Sequence, residues 1–191
     1  MIFINLNMFD LSNKTILIFG GTGELMSSIA TSLYKNNAKV IIIGRNLKQN
    51  IENLVDTNKI DFIKFDILDG DLKELFKNIY NKYLYIDMII NGAGINSATP
   101  LLDIQQDEIN NIFEINFNFV VKCCQLYIKN TLELNKPGKI LNIGSVSAIN
   151  PLSKVFIYSA SKAALHNFSK SLAREYGDRN ITTNILVPGF F

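Results

Sequence analysis

Short apolar runs alternate with longer amphipathic segments along this chain, and this alternation constrains its fold more than any other feature. The short runs are continuously apolar, which is typical of strands in a parallel sheet that helices cover on both faces. We predict strands at residues 15–19, 39–43, 61–65, 86–90, 139–143 and 182–187. We predict helices at residues 25–36, 47–55, 71–82, 106–134 (as one helix or two) and 155–176. The sequence therefore predicts a doubly wound α/β fold with a parallel sheet and right-handed crossovers.

Composition limits the partners and the setting of this fold. The chain has 191 residues, 48% hydrophobic and 19% charged, which is enough for one domain spanning residues 1–191. A net charge of +2 argues against a nucleic-acid partner, and no apolar run is long enough to span a membrane. Cys123 and Cys124 are adjacent and His166 is the only histidine, so we expect neither a disulfide framework nor a metal site. We interpret His166 as a surface or packing residue and expect a cytoplasmic location.

Glycine or polar residues follow every predicted strand. In a doubly wound sheet the ligand crevice lies beyond the carboxyl ends of the strands. The loops at those ends begin, in chain order, at Gly20, Gly44, Asp66, Asn91, Gly144 and Pro188. Six such loops predict a cofactor crevice at this edge of the sheet better than any single motif does.

The first two loops indicate which cofactor the crevice binds. Residues 20–23 read Gly-Gly-Thr-Gly between a strand and a helix, where backbone amides can approach a pyrophosphate; the alternative is an ordinary tight turn. Arg45 follows the second strand, and no acid occurs in residues 44–47. An arginine there suits a 2′-phosphate, so we favour NADP(H) over NAD(H), the alternative being a solvated surface arginine.

Three further polar positions have both a functional and a structural interpretation. Asp66 either caps a turn or accepts a hydrogen bond from an adenine amino group. The segment Asn91-Gly92-Ala93-Gly94 either accommodates a flat cofactor or forms a plain strand-end turn. Asn116 lies in an apolar helical stretch, where an amide needs partners, so it is either structural or part of a proton relay.

Tyr158 and Lys162 are one helical turn apart and project from the same helix face. An ammonium close to a phenol stabilises the phenolate, so that the tyrosine can exchange a proton at neutral pH. Ser145 supplies a hydroxyl that can hold an oxygen whose charge changes during a reaction, or that merely bonds backbone at a strand end. These three residues are our candidates for acid–base chemistry.

In this order the elements resemble the short-chain dehydrogenase/reductase superfamily over nearly the whole chain. The resemblance implies a Rossmann-type sheet and an NAD(P)-dependent oxidoreductase that moves a hydride between the nicotinamide and a carbonyl or alcohol substrate. It implies that Tyr158 is the general acid or base, that Lys162 assists it and binds the nicotinamide ribose, that Ser145 holds the substrate oxygen, and that Asn116 supports a water linked to Lys162. The cofactor residues it implies are Gly20, Thr22, Gly23, Glu24, Leu25, Arg45, Asp66, Ile67, Asn91, Gly92, Ala93, Tyr158, Lys162, Pro188 and Gly189, with no metal ligand.

Some local details resemble the D-mannonate (fructuronate) oxidoreductases within that superfamily. They are the Gly-Gly-Thr-Gly and Asn-Gly-Ala-Gly loops, Pro-Leu-Ser-Lys at residues 151–154 and Pro-Gly-Phe-Phe at residues 188–191. This closer resemblance implies a sugar acid, a polyol or a similar hydroxylated carbonyl as the small-molecule substrate. Because the helices with Asn116 and Tyr158 form a dimer face in many relatives, we also expect a homo-oligomer.

The chain departs from the family pattern in two ways. Glu24 and Met26 stand where the family has glycines. Family members also continue after the Pro-Gly with a substrate lid, a helix and a last strand, so we expect six strands here and neither the lid nor the last strand. The alternative to an active enzyme is therefore a truncated, non-catalytic remnant that binds a nucleotide or other subunits.

Overall fold

A computed structural model, which describes residues 9–189, contains one sheet of six parallel strands. The strands are β1 (Thr15–Phe19), β2 (Lys39–Gly44), β3 (Asp61–Lys64), β4 (Met88–Asn91), β5 (Gly138–Ile143) and β6 (Ile181–Leu186). Their order across the sheet is β3-β2-β1-β4-β5-β6. This is the doubly wound, Rossmann-type α/β fold, which confirms the predicted fold class. Phe190 and Phe191 of the Pro-Gly-Phe-Phe motif lie outside the described residues.

Six α-helices connect the strands, and most of their ends lie within two residues of the predicted ones. They are α1 (Glu24–Lys35), α2 (Gln49–Asp56), α3 (Leu72–Tyr83), α4 (Gln106–Phe113), α5 (Phe119–Glu133) and α6 (Phe156–Tyr176). A π-helical segment, Glu114–Asn118, joins α4 to α5. The region predicted as one helix or two is thus helical up to Glu133, with one wider turn around the buried Asn116.

The sheet is covered by apolar side chains on both faces, which explains the continuously apolar strands. Leu17 and Phe19 of β1 pack in the cluster that also contains residues of α3, α5 and α6. Ile16 and Ile18, which alternate with them, pack in the cluster on the other face, with residues of α1 and α2. No helix described between residues 9 and 189 combines the length and apolar character that crossing a membrane requires.

The strand order reverses between β1 and β4, which are neighbours in the sheet. From β1 the chain goes outward to β2 and β3, and then returns to β4 on the other side. The connections after β1 and β4 therefore leave in opposite directions and open a crevice between them. The loops that begin at Gly20 and Asn91 lie at this point.

Candidate active site

The glycine turn after β1 is tightly packed against the loop after β4. Gly20 has a φ of +74°, and a Cβ there would lie 2.7 Å from the Ala93 backbone N. Only glycine fits this combination of a left-handed backbone and close approach. Gly23 lines the crevice and precedes α1 without a side-chain cap, so no cap side chain pairs the N–H groups of the first turn.

A crevice of about 270 Å³ opens beside this turn. It is lined by Phe19, Gly20, Thr22, Gly23, Ile43, Gly44, Arg45, Asn46, Lys48, Phe65, Asp66, Ile67, Leu68, Gly92, Ala93, Gly94, Ile95 and Ile115. The loops after β1, β2, β3 and β4 therefore share one cavity, as their positions in the sequence predict.

Most of the residues proposed to bind a cofactor lie in this lining, but not all of them. Those in the lining are Gly20, Thr22, Gly23, Arg45, Asp66, Ile67, Gly92 and Ala93. Those outside it are Glu24, Leu25, Asn91, Tyr158, Lys162, Pro188 and Gly189. The sequence reasoning missed Lys48, although this residue lies only three positions after Arg45.

Met26 fits at a family glycine position because the loop after β4 makes room for it. Met26 is buried, and a Cβ on Gly92 would lie 2.1 Å from its Sδ atom. The missing side chain of Gly92 thus accommodates the large side chain of Met26.

The β2–β3 end of the crevice is cationic. Arg45 and Lys48 are both exposed, and neither is in a salt bridge among the described residues. Asp66 is the acid in the lining, and its Oδ1 accepts the N–H of Leu68 at 3.0 Å. This hydrogen bond is the one expected of a turn residue. The second carboxylate oxygen of Asp66 has no protein donor among the described residues.

Asn91 has a different environment from the rest of its loop. Its side chain is buried, and its Nδ2 donates to Asn142 Oδ1 at 2.8 Å and to Cys124 Sγ at 3.6 Å. The side chain thus connects β4 to β5 and α5 and does not face the crevice. Burial raises the pKa of Cys124 to about 12, so that this thiol stays protonated.

Asn116 is fully buried in the π-helical segment and uses both ends of its amide. Its Oδ1 accepts the Ile95 N–H at 2.8 Å, and its Nδ2 donates to Ile95 O at 2.9 Å and to Ser161 Oγ at 3.1 Å. Ser161 in turn donates to the Tyr158 carbonyl at 2.7 Å. Asn116 therefore fixes the loop after β4 to the helix that carries Tyr158 and Lys162.

Lys162 is the most unusual charged residue in the described part of the chain. It is 5% exposed, and its Nζ donates to Ile143 O at 2.8 Å and lies 5.8 Å from the centre of the Tyr158 ring. No carboxylate among the described residues pairs with it. Burial lowers the pKa of Lys162 to about 8, because the charged form loses hydration.

Ser145 follows β5, and both its side chain and its backbone form hydrogen bonds. Its Oγ accepts the N–H of Ser147 at 3.1 Å, and its own N–H donates to His166 Nε2 at 3.4 Å. The next residue, Val146, donates its N–H to Pro188 O at 3.0 Å, so the Pro188-Gly189 segment lies beside this loop. His166 was expected to be a packing or surface residue; its contact with Ser145 was not predicted.

The structure thus brings Tyr158, Lys162, Ser145 and Asn116 to one end of the sheet, next to the crevice. Tyr158 and Lys162 share a face of α6, Lys162 bonds the end of β5, and Asn116 bonds the residue before Lys162. Within residues 9–189, no group of three or more His, Cys, Asp or Glu side chains is placed to hold a metal ion. The arrangement places a tyrosine and a buried lysine, which can exchange a proton, beside the crevice.

Known proteins resemble this chain in sequence and in fold. A family profile described as short chain dehydrogenase matches residues 14–191. Carbonyl reductase family member 4 of Xenopus laevis is 31% identical over 179 residues, which cover 93% of this chain and 75% of that protein. The 3-oxoacyl-(acyl-carrier-protein) reductase FabG of Rickettsia typhi is 34% identical over 185 residues, covering 96% of this chain and 75% of that protein.

Among solved structures, 4-hydroxyisoleucine dehydrogenase complexed with NADH matches with a TM-score of 0.84 and 27% sequence identity. The match covers 93% of this chain and 75% of that one. None of these three names refers to D-mannonate, so the matches support the superfamily and leave the closer resemblance as a prediction.

Proposed function

Because the chain belongs to the short chain dehydrogenase family, we propose that it is an NAD(P)(H)-dependent oxidoreductase acting on a carbonyl or alcohol. The observation that carries this proposal is the environment of Lys162. A buried ammonium without a carboxylate partner lowers the stability of a fold, so its presence calls for a functional reason. Its position beside the Tyr158 ring provides that purpose, since an ammonium there stabilises negative charge on the phenol oxygen.

Two features of the crevice support a dinucleotide cofactor. Gly20 lets the turn pack closely against the Ala93 backbone, and the uncapped start of α1 leaves backbone N–H groups that suit an anion. Gly20, Thr22 and Gly23 would hold the pyrophosphate, while Asp66 and Ile67 would face the adenine. Ala93 and Gly92 would line the path toward Tyr158, and Lys162 would reach the nicotinamide ribose. When bound, the nicotinamide supplies or accepts the hydride.

The residues around Tyr158 would control the proton and the reacting oxygen. The Tyr158 hydroxyl gives its proton to a carbonyl oxygen during reduction, or removes the proton from an alcohol during oxidation. The Ser145 hydroxyl, whose oxygen already accepts from Ser147, is free to donate its hydrogen to the same substrate oxygen. Asn116 keeps the loop after β4 attached to α6, and thereby keeps Tyr158 and Lys162 aligned with the crevice.

We further propose NADP(H) as the preferred cofactor. Arg45 and Lys48 provide two cations at the β2 end of the crevice, where no acid stands in residues 44–47. Guanidinium and ammonium groups suit a 2′-phosphate, whereas a ribose 2′-hydroxyl is usually held by a carboxylate. A sugar acid or polyol substrate, a homo-oligomer and a cytoplasmic location remain proposals that rest on the family resemblance.

Turnover and cofactor binding test the proposal separately. Wild-type protein is assayed for NADPH and NADH oxidation against a panel of keto acids, ketoses and simple ketones, and cofactor binding is measured by calorimetry. Tyr158→Phe should abolish turnover and leave cofactor affinity within about twofold, since it removes only the proton donor. Tyr34→Phe, in α1, is the matched control and should retain activity. Unchanged turnover in Tyr158→Phe would remove this residue from the chemistry.

A second candidate is a protein that binds a nucleotide or another subunit without turnover. It is favoured by the exposure of Ile149, Leu152 and Phe156 near Tyr158, at 64%, 41% and 44%. Apolar side chains this exposed suit contact with a partner as well as with a substrate. If the protein binds NADPH or NADH but oxidises neither with any carbonyl compound in the panel, this candidate is favoured.

A further inference from the structure

His166 lies directly behind the loop that carries Ser145. It is four residues after Lys162 on α6, so both side chains leave the same helix face. Its Nε2 accepts the backbone N–H of Ser145 at 3.4 Å. This contact joins the only histidine of the chain to the residue that the proposed function assigns to the substrate oxygen.

The ring reaches Ser145 because the preceding residue has no side chain. A Cβ on Gly144 would lie 2.3 Å from His166 Nε2 and 3.0 Å from Ile185 Cδ1. The imidazole therefore occupies the space that any other residue at position 144 would fill. For Nε2 to accept a hydrogen bond, the ring must be neutral and carry its proton on Nδ1.

The surroundings of His166 favour this neutral form. Burial lowers the pKa of His166, and the ammonium groups of Lys170 and Lys162, one turn away on either side, lower it further. The strand ends packed against the ring contribute Gly144, Ser145 and Ile185, none of which titrates. Among the described residues no carboxylate acts on the ring to oppose this shift.

We propose that His166 is a positioning residue: its neutral ring accepts the Ser145 N–H and so holds the Ser145 hydroxyl in place for the substrate oxygen. This rests on the proposed function, which gives Ser145 its role. Protonation turns Nε2 into a donor that faces another donor, and it places a third cation in the row formed by Lys162 and Lys170. Acid therefore releases the Ser145 loop, and activity falls as pH falls through the pKa of His166.

The contact can be tested without any activity measurement. Because the chain has one histidine, its ring protons give one NMR titration curve, which yields the pKa of His166 directly. The Ser145 amide shift, followed in ¹⁵N-labelled wild-type protein, should titrate with the same midpoint. The amide of Val40 in β2, which β1 and β4 separate from β5 in the sheet, serves as a reference. A Ser145 amide that stays unchanged while His166 titrates would overturn the proposal.

Two variants connect the contact to turnover. His166→Gln keeps an acceptor that does not titrate, so kcat/KM should remain within about threefold of wild type at pH 8 and lose the decline at acid pH. In wild type that decline should reach about tenfold per pH unit below the pKa of His166. His166→Leu lacks the acceptor, so its kcat/KM should be at least about tenfold below that of wild type at pH 8 and should not decline further at acid pH, with NADPH affinity unchanged. An acid decline that persists in His166→Gln would contradict the proposal.

The two readouts separate this proposal from the proposed function. If no carbonyl is turned over but the Ser145 amide follows His166, the contact stands and the enzyme assignment fails. If turnover is present and the amide is unaffected by His166, the enzyme assignment stands and the positioning role fails.

Discussion

The two halves of the sheet carry their candidate functions in different ways. Around β1 to β3, the crevice depends on a missing side chain and on exposed charges: Gly20 lets its turn pack against the Ala93 backbone, and Arg45 and Lys48 remain exposed. Around β4 to β6, polar side chains are buried and bonded, as Asn116 and Lys162 are. The first half offers backbone groups and exposed cations, and the second offers buried, hydrogen-bonded side chains.

This difference predicts different responses to substitution. In the first half, added atoms or changed charges should alter cofactor affinity while leaving the proton chemistry intact. In the second half, removed atoms should alter turnover, and their effect on stability depends on how each group is buried. Four substitutions test this division, in order of decreasing effect.

Lys162→Met should have the largest effect. It tests whether proton transfer depends on the buried side chains around β4 to β6. Without the ammonium, kcat should fall by about a thousandfold, because the charge on the Tyr158 oxygen loses its neighbour. NADPH affinity should fall only severalfold. Steady-state kinetics and calorimetry measure the two quantities, and Lys129→Met, an exposed lysine of α5, is the control. A kcat within about tenfold of wild type would contradict the assignment of the proton chemistry to the β4–β6 half.

The same variant should be more stable than wild type near neutral pH. Lowering the Lys162 pKa from 10.5 to about 8 corresponds to about 3 kcal/mol of desolvation cost. Loss of the hydrogen bond to Ile143 O offsets part of this gain, so we expect a net gain of about 1 kcal/mol in the free energy of unfolding.

The pH dependence of this gain has a definite sign. Between pH 8 and 10.5 the unfolded state still binds the Lys162 proton that the folded state has released. Wild-type stability therefore rises with pH across this window, and the advantage of Lys162→Met shrinks. Urea unfolding at pH 7 and pH 9.5 measures both. A constant difference between the two proteins would contradict the burial of the charge.

Gly20→Ala should have the next largest effect, and this substitution lies in the β1–β3 half of the sheet. A Cβ there meets the Ala93 backbone at 2.7 Å while the backbone has a φ of +74°. We expect a loss of about 2–4 kcal/mol in stability and at least about tenfold weaker NADPH binding. Gly177→Ala is the matched control, because a Cβ there meets nothing within 4 Å. Equal behaviour of the two variants would contradict the close packing of the glycine turn.

The same contrast explains which features could be predicted from the sequence. The strands of the parallel sheet follow from continuous apolar runs, and the strand-end loops then have to meet at one edge. The strands, the glycine turn and the Tyr158–Lys162 pair are local patterns of this kind. They depend on spacing along one strand, turn or helix.

Features that depend on distant partners were missed or left open. Asn91 pairs with Asn142, and Met26 fits only because Gly92 faces it, so neither environment is visible in a local window. Asn116, in the π-helical segment, bonds with its side chain to Ile95, which lies 21 residues earlier in the chain. The contact of His166 with Ser145 needs the packing of α6 on β5, which periodicity does not specify.

Arg45→Ala, in the β1–β3 half, should change the preference between NADPH and NADH without affecting proton transfer. We expect NADPH affinity to fall about tenfold at low salt and NADH affinity to stay within about twofold, because only NADPH carries the 2′-phosphate. Arg174→Ala, in the last turn of α6, is the control. Calorimetry with both cofactors measures the ratio. Equal losses for NADPH and NADH would show that Arg45 does not recognise the phosphate.

Glu24→Gln should have the smallest effect, and its sign is the informative part. Glu24 is exposed in the first turn of α1, where the pyrophosphate would approach. Its carboxylate repels that anion through solvent by about 0.5–1 kcal/mol, so NADPH should bind about two- to fivefold more tightly to the variant. Because exposed charges are screened, the gain should vanish at high salt.

The same carboxylate also stabilises the start of α1 through the helix dipole. Glu24→Gln should therefore lose about 0.5 kcal/mol of stability while it gains affinity. Glu74→Gln, in the first turn of α3 and outside the crevice lining, should lose stability without any gain in affinity. If both variants bind NADPH as wild type does, the pyrophosphate does not approach α1. The backbone cradle around β1 would then need another ligand.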